Sequence, residues 1–551
     1  MKNTILLKAL FLLVFLSVPT LHYAQNLETE IDQLMQENYK ADQSGATILV
    51  AKDGKVILRK AYGKANLELG IDMIPENVFE IGSISKQFTA VGILMLLEEG
   101  KLSLEDEITK YIPDYPTQDT KITIHHLLTH TSGIRSYTSI PTLRDFSRKD
   151  LSVKELVDAF KNEPMDFKPN EQFLYNNSGY VLLGYIIEKI TGKSYEEFVQ
   201  KRIFDKLKMK NSYYGSKSRL IKNRASGYQG GENGYANAEY LSMNIPYAAG
   251  SLMSTVDDLF RWNTAIRNHK LISKENTEKA FTNYTIDNGN NINYGYGWST
   301  TKIQGVPMIE HGGGIFGFTS QGVYVPSENV YVIILTNCDC ISPTDIAYKV
   351  AAMTIGKPYP KKEDAITLSK DQLEKWVGSY MFDDGSLRAI TRKGKQLYSQ
   401  RFDGNTAFKM YTIAENHFFF EDSFSEIIFT DGPTKKAIYR NNRIESNGVE
   451  SDAKLPEPKK EIQLSAEVLQ KYAGTYQLMP NMELEIIVEG DRIFGLPTNQ
   501  SRAELFAESE DNFFLKVVPA TISFEIDPET KLPVSLTLDQ GGRKTTAKKI
   551  K

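Results

Sequence analysis

Three short stretches collect residue types that can make and break an acyl bond. Ser83 precedes Lys86 by three positions in Gly82-Ser83-Ile84-Ser85-Lys86. On a helix such a pair shares one face, so the amine reaches the hydroxyl. A serine hydroxyl is a poor nucleophile until a neighbouring base takes its proton. Lysine serves as that base when burial disfavours its charged form. Tyr175 and Asn177 lie in Phe173-Leu174-Tyr175-Asn176-Asn177-Ser178-Gly179 and place a phenol able to relay protons beside an amide. His311-Gly312-Gly313-Gly314 joins an imidazole to a backbone that can approach a ligand closely and expose N–H groups.

Spacing alone decides little. Ser-x-x-Lys also occurs at Ser299/Lys302 and Ser451/Lys454, and Tyr-x-Asn at Tyr235/Asn237 and Tyr439/Asn441. The bland readings are a capping Ser83 with a solvated Lys86, an Asn177 or Ser178 that only caps a helix, and a His311 facing solvent from a flexible turn. Context separates the copies. Ser83 stands at the mouth of a stretch, Phe88 to Leu97, that is apolar nearly all round, with Gly100 as its stop. Free N–H groups at such a helix start favour developing negative charge. Ser451 falls in a linker-like segment, and Ser299 in a polar, strand-like one.

The elements that must hold these residues alternate between strands and helices from residue 27 to about 360. Thr47-Val50 and Val56-Arg59 flank Asp53-Gly54, a hairpin signal. Gly322 to Thr336 predicts a second hairpin, turning at Pro326-Ser327-Glu328-Asn329, and an apolar helix is expected from Tyr180 to Ile190. Beyond residue 360 a repeat begins. Leu368-Ser369, Leu373, Lys375, Gly378 and Tyr380 return as Leu464-Ser465, Leu469, Lys471, Gly474 and Tyr476 at an offset of 96, which slips to 95 at Phe418/Phe513 and Phe429/Phe524. This reads as a duplicated module. Each copy opens with a helical turn and continues as short alternating strands, the pattern of a small antiparallel barrel or sheet. Ser446 to Lys460, with Pro456 and Pro458, is expected to link the copies.

The 551 residues carry a net charge of -4, which argues against a nucleic-acid partner. Lys2 and Lys8, an apolar run from Ala9 to Val18 and Ala24-Gln25 describe a secretory signal over residues 1–24. His22, where a small residue is expected, leaves the cleavage point open. The run is too short for the roughly 20 residues of a membrane span, so the expected setting is periplasmic or secreted, with no span after signal removal. Cys338 and Cys340, two apart on an apparent strand, are expected not to meet disulfide geometry. His126 and His130 have helical metal-ligand spacing but lack the H-E-x-x-H pattern, so no metal or other cofactor is expected. No G-x-S-x-G surrounds Ser83, which argues against a Ser-His-Asp triad of the α/β-hydrolase type.

In this order the three motifs resemble the serine β-lactamase-related family, which includes class C β-lactamases, D-alanyl-D-alanine carboxypeptidases, D-aminopeptidases and related esterases. Phe79-Glu80-Ile81-Gly82-Ser83, Gly100-Lys101-Leu102-Ser103-Leu104-Glu105-Asp106 and His126-Leu127-Leu128-Thr129-His130-Thr131-Ser132-Gly133 are similar to further family phrases. The resemblance covers residues 27 to about 350. It implies an α+β catalytic domain over 27–360, a helical region packed on an antiparallel sheet with the site between. It also implies that Ser83 is acylated, that Lys86 and Tyr175 share proton transfer, and that Asn177 binds the substrate amide. His311, Gly313 and Gly314 would line the opposite wall, with the N–H groups of Ser83 and Gly314 as oxyanion hole. The chain departs from the β-lactamases and transpeptidases at His311, where they usually carry a carboxylate-binding Lys.

The two small all-β modules, 361–447 and 461–551, resemble lipocalin-like accessory modules of the family, suited to shield the cleft, restrict substrate size or mediate oligomer assembly. The resulting expectation is an exported serine hydrolase acting on small peptides, D-amino acid amides or esters. A class C-like β-lactamase and a slowly turning over penicillin-binding receptor for cell-wall fragments are the alternatives.

Overall fold

A computed structural model describes residues 26–550 apart from 232–233, 403, 405, 422–423, 443, 455–460, 480–481, 499–501, 517, 519 and 541–542. The expected signal segment therefore lies outside the described residues. One compact unit ends at Tyr359 and a second begins at Pro360.

The first unit is built on one antiparallel sheet. Its strands are β1 (Ala46–Lys52), β2 (Lys55–Tyr62), β3 (Ser299–Ile303), β4 (Val306–Ile315), β5 (Phe318–Val325) and β6 (Val330–Thr336). Their order across the sheet is β3-β4-β5-β6-β1-β2. The first and last strands of this sheet in chain order pair within it, with Ile48 opposite Ile334 and Val50 opposite Val332. Every residue of β6 is buried, as its run of β-branched side chains requires. Both expected hairpins form. Asp53 and Gly54 take positive φ in the first turn, and a 3₁₀ turn at Pro326–Glu328 makes the second.

Packed beside the sheet is a helical region led by α1 (Ser85–Glu98) and α2 (Asn177–Thr191). In α1 every residue from Ser85 to Leu96 is buried, which explains its nearly uniform apolarity. Phe88 stacks on Trp262 with ring centroids 3.9 Å apart, and the Trp262 indole donates to Gln87 Oε1 at 2.9 Å. Each fully buried side chain of the Leu, Ile or Phe type contributes about 1.5–3 kcal/mol, so α1 is an anchor of the core.

One expectation fails here. Cys338 and Cys340 are joined by a disulfide, with Cα atoms 5.2 Å apart. The strand before them ends at Thr336, and the chain then turns. The i, i+2 spacing of an extended strand does not apply, and the Cα separation falls inside the usual disulfide range of about 4.4–6.8 Å.

The second unit contains two closed eight-stranded antiparallel barrels. The first runs from Gly378–Phe382 to Glu445–Ser451 and closes by pairing Ser379 with Ser451. The second runs from Gly474–Met479 to Arg543–Lys549 and closes by pairing Tyr476 with Lys549. Short helices at Lys370–Glu374 and Ala466–Gln470 precede them, each capped by a serine. The segment expected to link the copies starts instead as structure: Ser446 to Ser451 belongs to the closing strand of the first barrel. Alternating small residues there, Ser446 and Gly448, face inward, a strand pattern hidden by turn-like composition.

Candidate active site

The chain enters the site along a short strand, Phe79–Glu80, whose buried Glu80 carboxylate meets Lys217 and Arg224 at 2.8 Å each. Ile81 donates its N–H to Leu252 O at 3.0 Å. Gly82 then takes φ +51°, and a Cβ at this position would stand 2.8 Å from Gly314 N. Only glycine allows both the left-handed turn and this approach of the two walls. A 3₁₀ turn, Gly82–Ile84, presents Ser83 at the foot of α1, and Ser83 is the one partly open residue in an otherwise buried run from Val78 to Leu96.

Lys86 is completely buried. Its Nζ lies 2.9 Å from Ser83 Oγ, 2.8 Å from Asn177 Oδ1 and 2.9 Å from Ala249 O. Burial pushes the amine well below its ordinary range. A neutral amine has two N–H groups and one lone pair. With the N–H groups directed at Asn177 Oδ1 and Ala249 O, which only accept, the lone pair is left for the Ser83 hydroxyl. That arrangement can remove a proton from Ser83.

Tyr175 shares a hydrogen bond with Ser83, and its ring centroid lies 4.8 Å from Lys86 Nζ. Surrounding protein pushes the phenol up, and the Ser83 bond draws it back. Because 38% of its surface is open, water offsets part of the upward push. Phe173 and Leu174 are also exposed, so three successive apolar residues rim the site.

The helix cap falls to Asn176, not to Asn177 or Ser178. Asn176 Oδ1 accepts from Gly179 N–H at 2.8 Å. Asn177 is thereby free to turn its side chain to the site, where its Nδ2 donates to Thr138 Oγ1 at 3.1 Å. The other occurrences of the motifs lie in different settings: Ser299 begins β3, Ser451 ends a barrel strand, Asn237 ends a short exposed hairpin and Tyr439 lies inside a barrel.

His130 had no role at the level of sequence beyond a doubtful metal pairing with His126. The helix carrying His126 ends at Leu128, and His130 lies past it at φ +60°. It holds the Tyr175 loop on both sides. His130 O accepts from Leu174 N–H at 3.1 Å, and His130 Nδ1 accepts from Asn176 N–H at 3.1 Å. Its ring packs against that of Tyr175 with centroids 4.4 Å apart. Burial first, with Lys86 and His311 acting in the same direction, pushes this imidazole well down, so it is neutral and Nδ1 can accept. No sequence signal marked Ala249, whose carbonyl oxygen is the third oxygen within reach of Lys86 Nζ and which arrives on the short helix Tyr247–Gly250.

His311 and the three glycines stand in β4, not in a flexible turn. A Cβ on Gly313 would meet Ile81 O at 2.1 Å, so this wall must be bare to lie against the Ser83 turn. His311 does not face solvent: it is 5% exposed. Its Nδ1 bonds Gly312 O at 2.5 Å, which fixes the proton there, and Nε2 then accepts from the Tyr294 hydroxyl at 2.9 Å. Burial first, then Lys86, lowers the imidazole to about 4. An ordinary imidazole becomes a cation below about pH 6.5, but this desolvated ring resists charging.

The sequence profile described as Beta-lactamase matches residues 27–346. The chain belongs to the β-lactamase family. It is a serine hydrolase of that family, whose further relatives bear it out. Penicillin-binding protein 4* of Bacillus subtilis (strain 168) is 30% identical over 434 residues, 74% of this chain and 95% of that protein. The octameric penicillin-binding protein homologue from Pyrococcus abyssi has a similar structure, with a TM-score of 0.53 at 28% identity over 77% of this chain and 99% of the other. A D-stereospecific amidohydrolase from Streptomyces sp. gives a TM-score of 0.52 at 25% identity, over 59% of this chain and 98% of the other. A second profile, a domain of unknown function (DUF3471), matches residues 458–547. Among the described residues no helix is long and apolar enough to cross a membrane, and no group of three or more His, Cys, Asp or Glu could hold a metal ion.

Proposed function

We propose that this protein is an exported hydrolase of small peptides, D-amino acid amides or esters that works through an acyl-serine intermediate. The observation that carries the reading is the fully buried Lys86, with Nζ 2.9 Å from Ser83 Oγ. Lys86 takes the Ser83 proton as the oxygen attacks the carbonyl. The resulting oxyanion is received by the N–H groups of Ser83 and Gly314, beside Gly313. Tyr175 and Lys86 return the proton to the leaving group, and water then cleaves the acyl ester. Asn177 binds the substrate amide.

The neutral, buried His311 supports uncharged substrates over carboxylate-bearing ones, which favours amides and esters over β-lactams. The open Phe173, Leu174 and Tyr175 suit an apolar substituent. The D-stereospecificity of the Streptomyces amidohydrolase supports D-aminoacyl substrates. Export rests on the character of residues 1–24. The barrels are read as lipocalin-like accessory modules that shield the cleft, restrict substrate size or mediate assembly, the last supported by the octameric homologue.

The test is covalent labelling with a fluorophosphonate, followed by a substrate panel of D-aminoacyl amides, short esters and nitrocefin. Ser83→Ala should abolish labelling while the protein stays folded. Labelling of another serine in the folded variant would refute the assignment, and burst kinetics without turnover would mark a slow receptor instead.

A further inference from the structure

The two barrels share a backbone plan but differ inside at one end. In the first, alternation places Arg388 on the inner face with the core residue Ile390, and Ser399 and Arg401 with the core residue Leu397. Arg388 stands directly opposite Arg401, and Ser386 opposite Phe382. Tyr439 completes this end, with its ring centroid 4.0 Å from the Arg388 guanidinium. Leu373 and Trp376, from the preceding helical turn and its end, pack into the barrel core.

Register identifies the counterparts in the second barrel. Tyr380 opposite Arg388 becomes Tyr476 opposite Leu484, and Arg388 opposite Arg401 becomes Leu484 opposite Pro497. Ile390 opposite Ser399 becomes Ile486 opposite Gly495, and Ile427 opposite Tyr439 becomes Ile522 opposite Leu538. Leu484 and Leu538 pack into the apolar core there. The barrel thus closes without any of these polar groups.

The first copy retains them against two physical disadvantages. Like charges directly opposite on neighbouring strands repel. In addition, Ser386 Oγ, Ser399 Oγ and Arg388 Nε are buried with no hydrogen-bond partner, and Ser399 is only 1% exposed. Buried polar groups are ordinarily satisfied, so three orphans on one inner face point to a missing partner.

We infer that this end of the first barrel binds a small organic anion, a carboxylate or a phosphate. The Arg388 side chain lies over Tyr439, which fixes its plane, and the guanidinium edge can grip an oxyanion in a two-point fork. Ser386 and Ser399 supply hydroxyl donors. The carboxylate of Asp384 interacts with both arginines. Tyr439 and Phe382 offer apolar surface to the body of the ligand.

Calorimetric titration of the full-length protein with benzoate, phenyl phosphate and benzyl alcohol tests this site. One or both anions should bind, and the neutral alcohol should not. Preference for benzoate assigns a carboxylate ligand, and preference for phenyl phosphate assigns a phosphate. Arg388→Leu, the residue type of the second barrel, should weaken anion binding at least tenfold, whereas Ser83→Ala should leave it unchanged. Ser399→Gly should weaken binding in the same direction by a smaller factor, and it keeps the test decisive where Arg388→Leu does not fold. Failure of both anions to bind, equal binding in the folded barrel variants, or loss of binding in Ser83→Ala would overturn the inference.

Discussion

On the helical wall of the cleft, Lys86 meets three oxygens at 2.8–2.9 Å, and Asn177 and Tyr175 are each tied to it or to Ser83. On the sheet wall, His311 is turned back on Gly312 O and the Tyr294 hydroxyl, and the glycines present bare backbone. One wall arranges proton carriers around a nucleophile, while the other offers shape and a neutral ring. On the proposed reading, the difference teaches that the acyl-transfer residues are held in place by side-chain bonds on the helices, and that recognition is left to the strand.

The largest effect should come from the helical wall. Lys86→Met removes the base while keeping most of the volume, and kcat/KM for an ester should fall by about 10²–10⁴. Wild-type activity should rise with pH as the lysine loses its proton, and this limb should vanish in the variant. A loss smaller than threefold would place the proton-carrying role elsewhere.

His130→Phe should give an intermediate effect. It keeps a ring beside Tyr175 but strands the buried Asn176 N–H, so kcat should drop about ten- to hundredfold with a smaller change in KM. His130→Asn, whose side-chain oxygen can accept that N–H, should recover part of kcat. Equal loss in both variants, tracking a fall in melting temperature, would reduce His130 to a packing residue.

The smallest effect concerns the sheet wall. His311 loses its proton above about 4, so the kcat/KM ratio of carboxylate-bearing to neutral esters should stay flat from pH 5 to 8 and climb only toward pH 4. A rise centred near the ordinary imidazole value of about 6.5 would show that the ring meets water and would remove the contrast between the walls.

Much of this was legible in the sequence. Ser83, Lys86, Tyr175, Asn177 and Gly314 were marked by motif order, and the barrels by their repeat, because apolar alternation and local spacing survive in one dimension. Three features did not survive there. Ala249 serves through a backbone oxygen, which any residue type provides. His130 acts across 46 positions on Asn176, through a bond that depends on its left-handed turn past a helix end. His311 was expected on the wall opposite Ser83, but not its place inside a strand nor its bond to Tyr294, a residue no local pattern tied to it. The disulfide was missed because the apolar run before it was read as a strand continuing through both cysteines, whereas the strand ends at Thr336.

The burial of Lys86 also bears on how firmly the protein folds. In the unfolded chain this amine keeps its proton up to about pH 10.4, whereas in the fold burial disfavours the proton. Between the two values the unfolded state binds more protons, so folding stability rises with pH across that window and is diminished below it. At neutral pH the native state therefore carries a standing thermodynamic handicap at its own reactive centre. Lys86→Met should relieve it, melting above the wild type near pH 7, with the gap closing as the pH approaches 10. The group that equips the molecule to react is one that its folding equilibrium would favour removing.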